Sequence, residues 1–559
     1  MEPPLMVAPP PPDFFPLPLR RTAPPIHRTY IRNEDPLKPL DIQGGLATYS
    51  ELLDRSHAAH ILRRSGFGAD PLETDALIGM TAEDAIDVIV DEAVNQALPD
   101  PFDWVDDPVP PRGSSQEVFN AYLQSNSQWL IDFRNDWLMR MYYGGLRERM
   151  VLFWHNHFVT EVDTYVLAAY AYRYVETLRT HALGNFKDFV RAIGITPAML
   201  IYLNGSTHFG PGNVAGDANE NYARELLELF TMGQFDGQGN ENYTQVDIQE
   251  IARALTGWVV NSYDLSVQHV NLFFDNTPKT FFGQTDNWDY DDVVDILFEE
   301  RPFQIAEFIC RKLYAEFVYA APNETFVAEL AEVFVANDFE IAPVMRALFK
   351  SAHFHDQEAV GAQIKTPVHL MTTLLREVHF ENPPNNLFNL LYRAAFFMQQ
   401  RLLDPPNVAG WNGHHAWVNT TTLPFRWLVT DVLLFQSRNQ QPIDLVPVAE
   451  ILLNTQDIPL EPSDPVSVFT LPTALAETLL PVPLESLDIN APSEGFTGDL
   501  INNPIPADTL NGPPHVLDLT KIFLAGVPWY EWNLYRLEAP QLLLAYTRYL
   551  TQLPEFQLT

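Results

Sequence analysis

Cysteine is almost missing from this sequence. Among 559 residues there is one, Cys310, so no disulfide can close within the chain and no cysteine cluster can hold a metal. Any metal must be held by histidine and carboxylate. Bases are scarce as well. There are 34 Lys+Arg against 72 Asp+Glu, a formal net charge of −38, although charged residues make up only 19% of the chain. That balance repels phosphate backbones and anionic lipid, which argues against nucleic-acid and membrane partners. Long apolar runs are lacking too: no stretch reaches the about 18 residues that a spanning helix needs. No secretory signal is visible, because the first 26 residues carry ten prolines and an apolar helix cannot run through them. The default expectation is therefore a cytoplasmic protein. Hydrophobic residues, at 46%, and aromatics, at 12%, suffice for a large core and exclude a disordered acidic chain.

The pattern along the chain predicts a mainly α protein. It reads as one large multi-helical domain over residues 46–559 with at most a small β element, behind a proline-rich extended arm over residues 1–45. A helix is expected within Ser50–Arg64, stopped at Gly66-Phe67-Gly68. Two short helices fit residues 71–97, with a capping box at Thr81 and Asp84. Residues 115–200 read as mostly helix and 203–218 as a glycine-rich loop. A helix over 219–232 follows, then one capped by Thr244. The alternating, aromatic stretch 265–285 suggests a hairpin. Helices resume over 290–378, 386–402 and 538–552. Residues 440–515 form a proline-rich subregion.

Three stretches carry candidate chemistry. In Trp154-His-Asn-His157, His155 and His157 stand two apart, with Glu161 and Asp163 close behind. On a helix this spacing splits them between faces; at a helix end both reach one metal. Imidazole with carboxylate suits Zn, Mn or Fe. The second stretch is the helix Asn219–Phe230, where Glu220, Arg224 and Glu228 form an i, i+4 ladder beside Glu225. Such carboxylates, with histidines from another helix, build metal sites in helical bundles; an ion-pair network around Arg224 is the competing reading. The third is the rigid loop Asp404–Asn419. Trp411 and Trp417 would supply an apolar wall, and Asn407 and His414 polar contacts; a loop whose tryptophans fill the core is the alternative. His57 and His60 read as a surface face, and Cys310 as a small core residue.

These stretches together resemble the bacterial family catalogued as Domain of Unknown Function 1800. The likeness is carried by Leu62–Gly68, Arg147–Phe158, Asn219–Gly233, Tyr243–Asp247, Ala252–Trp258, Lys279–Gln284, Lys365–Val368, Asp404–Trp411 and the ending Leu553–Leu558, and covers about residues 50–559. It implies a helical fold and no established activity. It also implies that similar chains are often exported and have a sulfatase-like companion protein as a partner.

Two classes of function stay open on this evidence. One is a metal-dependent enzyme, hydrolytic or oxidative, in which His155, His157 and Glu228 hold a divalent metal, Glu220 or Glu225 is the general base and Arg224 orients an anionic substrate group. Asn407, Trp411, His414 and Trp417 would then bind substrate. The other is a non-enzymatic scaffold or partner protein whose conspicuous polar residues are buried hydrogen-bond networks. Polymer binding through Trp411 and Trp417 is a third option and requires exposed, coplanar rings.

Overall fold

The stretch Leu146–His157 is half apolar and half polar, yet the fold covers it almost entirely: ten of its side chains, Glu148, Arg149, His155 and His157 among them, are buried. The helices Ala82–Asn95, Gln116–Tyr143 and Ala168–His181 pack against it. Trp154 anchors the packing, with its Nε1 donating to the Ala182 carbonyl at 2.9 Å and its ring set among Phe158, Phe186 and Phe189. The computed structural model describes residues 37–42, 44–206, 218–435, 442–455, 464–489, 491–493 and 495–559. Residues 1–36 of the expected arm, most of the glycine-rich loop and parts of the 440–515 subregion lie outside the described residues.

The protein is mainly helical, as its periodicity predicts, and among the described residues the strands form two small antiparallel pairs. Side-chain caps set the helix starts. Thr244 and Asp247 form a reciprocal capping box, and so do Asp289 and Asp292. The expected box at Thr81 is only half made. The Asp84 N–H donates to Thr81 Oγ1, but the Asp84 carboxylate takes the Thr81 hydroxyl instead of the backbone N–H. The expected hairpin over 265–285 is two hairpins. Trp258–Asn261 pairs with Ser266–His269, and Lys279–Phe281 with Gln284–Asp286. The helix starting at Glu220 widens after Glu225 into a π-helix, Leu226–Thr231. Towards the end of the chain, Leu471–Leu479, Pro514–Leu524 and Ala539–Gln552 pack on one another, and the last also packs on Thr422–Phe435. No described helix is long and apolar enough to cross a membrane.

Charge is sorted in an unusual way. Among the described residues, eight bases are buried (Arg63, Arg64, Arg134, Arg149, Arg179, Lys279, Lys365 and Arg426) but only two acids, Glu148 and Glu377. Glu377 pairs with Arg63, and Glu148 with Arg179. The other bases lean mainly on backbone carbonyls: Arg64 on Ala359, Arg426 on Lys365, and Lys365 on Phe556. His57 and His60 belong to the same interior and are not a surface face. The Arg55–Ser65 helix is covered on both sides, His60 reaching the Phe354 carbonyl and His57 pairing with Asp54.

A pH dependence follows. Burial, with the cations Arg63 and Arg426 nearby, pushes the Lys365 ammonium down to about 7 from its ordinary 10.5. Between those values the unfolded chain still holds the proton and the folded chain has released it, so this group's contribution to stability rises with pH across the window. We expect Lys365→Met, which keeps the stem and removes the charge, to flatten the change in Tm between about pH 7 and about pH 9.5 relative to the parent chain. Equal changes in both chains would contradict the assignment.

Candidate functional site

A cavity of about 270 Å³ opens where the Leu146–His157 helix meets the 404–417 loop. Its volume lies just below the range of about 300–1,000 Å³ usual for drug-sized ligands. Three elements supply its chemistry: Arg149 and His157 from the core helix, Lys312 and Glu316 from the helix Pro302–Phe317, and His369 from the helix Pro367–Glu377. The loop adds Trp411, His414 and Trp417.

The cation side is built in layers. Arg149 is 4% exposed, lies against the faces of Phe67 and Phe317, and pairs with Glu316 through Nη2 at 2.8 Å, leaving Nε without a partner. Arg64 sits behind it with Nε and Nη1 likewise unpaired, and burial beside the like-charged Arg149 lowers its guanidinium to about 9. Lys312 is held differently. Leu229 and Phe230 lie in the last turn of the π-helix, where carbonyls lack an intrahelical partner. Lys312 Nζ donates to Leu229 O at 3.1 Å and to His157 Nδ1 at 3.1 Å, while His157 Nε2–H donates to Phe230 O at 3.0 Å. Burial lowers the Lys312 ammonium to about 8, which leaves it charged at neutral pH.

His155 is placed otherwise. It is fully buried; the Leu403 N–H donates to its Nε2 at 3.1 Å, so Nδ1 carries the proton and donates to Tyr174 Oη, which passes its own proton to Phe158 O at 2.7 Å. Burial drives this imidazole down to about 3. Both ring nitrogens are engaged, and ligating a metal would require His155 to give up a partner. His157 has both nitrogens engaged as well. Between them, Asn156 ties the loop to the helix. Its Oδ1 accepts from Trp411 N at 2.7 Å and its Nδ2 donates to Trp411 O at 3.3 Å.

The carboxylates of the second stretch do not line the cavity. Glu220 and Arg224 form a half-exposed pair at 3.3 Å, bridged by Gln245. Glu228 accepts from Tyr243 Oη at 3.4 Å, and Glu225, beside it, is raised by burial and by the Glu228 charge. Among the described residues, no group of three or more His, Cys, Asp or Glu side chains is arranged to hold a metal ion. Within the loop, His414 lines the cavity, whereas exposed Asn407 shapes the turn by accepting from Ala409 N at 2.9 Å. Trp411 and Trp417 are 7% and 6% exposed and tilted by 48°, so they are walls of a cavity and not a flat exposed platform.

The chain matches the family described as Protein of unknown function (DUF1800) over residues 60–558. It belongs to that family. No match is found among curated proteins or solved structures. Sequence reasoning singled out the DUF1800 stretches around His157 and Trp411 but missed Lys312, Glu316 and His369. The signal for His369 was nearby: it directly follows Lys365–Val368, where Thr366 caps a helix beginning at Pro367.

The join between loop and helix is tightest at Gly410. Its φ is +82°, and an added Cβ would lie 2.3 Å from Asn156 Oδ1 and 2.6 Å from Asn156 O. We expect Gly410→Ala to detach the loop at a cost of about 1–3 kcal/mol, read as hydrogen exchange at 404–417 faster by about tenfold or more. Unchanged exchange there would refute this role of Asn156.

Proposed function

We propose that the cavity binds a small organic anion, with the anionic group held between Arg149 and Lys312 and the remainder against Trp411 and Trp417. The observation carrying this reading is a buried guanidinium, Arg149, that lines the cavity, has an unpaired Nε and has a second cation, Arg64, nearby. A buried charge without full pairing is costly, and an arriving anion offsets that cost. Among the cavity's lining side chains, Arg149 and Lys312 are bases and Glu316 is the carboxylate, with Thr559 also at the wall, so two of the chain's few bases meet at this one cavity. Charge-assisted bonds from guanidinium to a carboxylate, phosphate or sulfate oxygen are the strong ones available here.

The scaffold reading draws support from a separate observation, the closed network around His155 and the buried pairs of Arg63 and Arg179, which account for several conspicuous motif residues without any ligand. One titration separates the two. Cyclohexanecarboxylate is expected to bind the full chain saturably and its neutral carboxamide more weakly by about tenfold or more. Arg149→Gln is expected to abolish the difference while the fold, checked by circular dichroism, is kept. Equal binding of acid and amide, or an unaffected Arg149→Gln chain, would leave the scaffold reading standing.

A further inference from the structure

The cavity holds a second kind of polar group beside its cations. His369 is 0% exposed and lines the cavity, and neither of its ring nitrogens has a hydrogen-bond partner. Its backbone N–H is committed to Thr366 Oγ1 at 3.2 Å, and its ring meets Phe67 edge-on at 6.1 Å. Nothing in the surrounding packing answers Nδ1 or Nε2, although buried polar groups are normally bonded.

The ring is also held neutral. Burial dominates, and Arg149, Lys365, Arg64 and Arg63 all disfavour a further positive charge. A neutral imidazole offers one N–H donor and one bare acceptor nitrogen. An anionic oxygen can satisfy only the donor. A hydroxyl group can satisfy either nitrogen, because it both donates and accepts. We infer that the ligand of this cavity is a hydroxylated acid, its anionic group on Arg149 and a nearby hydroxyl on His369. This rests on the anion-binding reading above and names the class of anion. The cavity's size favours a molecule no larger than about one sugar-acid ring, and the two tilted tryptophans leave an apolar wall for its C–H face.

Three probes with one six-membered ring each divide the question: glucuronate, with carboxylate and hydroxyls; cyclohexanecarboxylate, with the carboxylate alone; and glucose, with hydroxyls alone. In calorimetric titrations of the full chain, glucuronate is expected to bind about tenfold or more tighter than cyclohexanecarboxylate, with glucose weakest. His369→Phe is expected to bring glucuronate down to the level of cyclohexanecarboxylate and leave the latter unchanged. His369→Gln, whose amide keeps a donor and an acceptor, is expected to retain part of the preference. Equal affinity for the two acids in the parent chain, or a preference that survives His369→Phe, overturns the hydroxyl assignment and leaves the anion site intact. Binding of neither acid overturns both. If His369→Phe does not fold, the parent ratio and His369→Gln decide alone, and a ratio of one overturns the inference.

Discussion

The interior of this acidic protein is basic, and each buried cation needs an oxygen. Among the described residues, two buried carboxylates cannot serve eight buried bases, so backbone carbonyls from remote parts of the chain do much of the work. Arg63 joins the first helix to Glu377 and to the Thr478 carbonyl. Arg426 and Lys365 tie a late helix and the final turn to the centre through Gln557 and Phe556. Each such contact also fixes a chain segment, because a carbonyl can be aimed only by placing its backbone. The few bases of the sequence therefore set long-range order as well as charge balance.

The cavity exists because this device stops short. Around His157 the supply of carbonyls comes from the C-terminal turn of the π-helix, where Leu229 and Phe230 offer neighbouring acceptors to Lys312 and His157. Around Arg149 and Arg64 the supply runs out, and buried guanidinium nitrogens of both are left unpaired, Arg149 at the cavity wall. The loop carrying Trp411 closes that space on one side, clamped by the paired bonds of Asn156. Rigidity of the walls and incompleteness of the floor thus come from neighbouring residues of a single helix, Arg149 to His157.

Much of this arrangement was legible in the sequence. The helical class followed from periodicity, and one helix start from Thr244 and Asp247, whereas the matching box of Asp289 and Asp292 was not read from the sequence. The stretches around His157 and Trp411 stood out by density of His, Trp, Asn and Gly, and the fold brings these two together. Other features were not legible for physical reasons. A π-helix has the composition of an α-helix, so Leu226–Thr231 gave no warning. Lys312 directly follows Arg311 in a helix, and only packing against segments far away in the chain turns it inward. His57 and His60 looked solvent-facing because local spacing describes one helix face and says nothing of what covers it. The ladder of Glu220, Arg224 and Glu228 was visible but lies on a half-buried helix face away from the cavity, and such a face shares its spacing with a ligand set.

Charge sorted in this way also acts in time. On the anion-binding reading, a negatively charged molecule approaching the protein is repelled first by the acidic exterior and then held by the buried cations of the cavity. Encounter is slowed and escape is slower still, so occupancy would be governed by long residence and not by frequent visits. Salt, by screening the outside more than the buried inside, would open the approach without loosening the grip to the same degree.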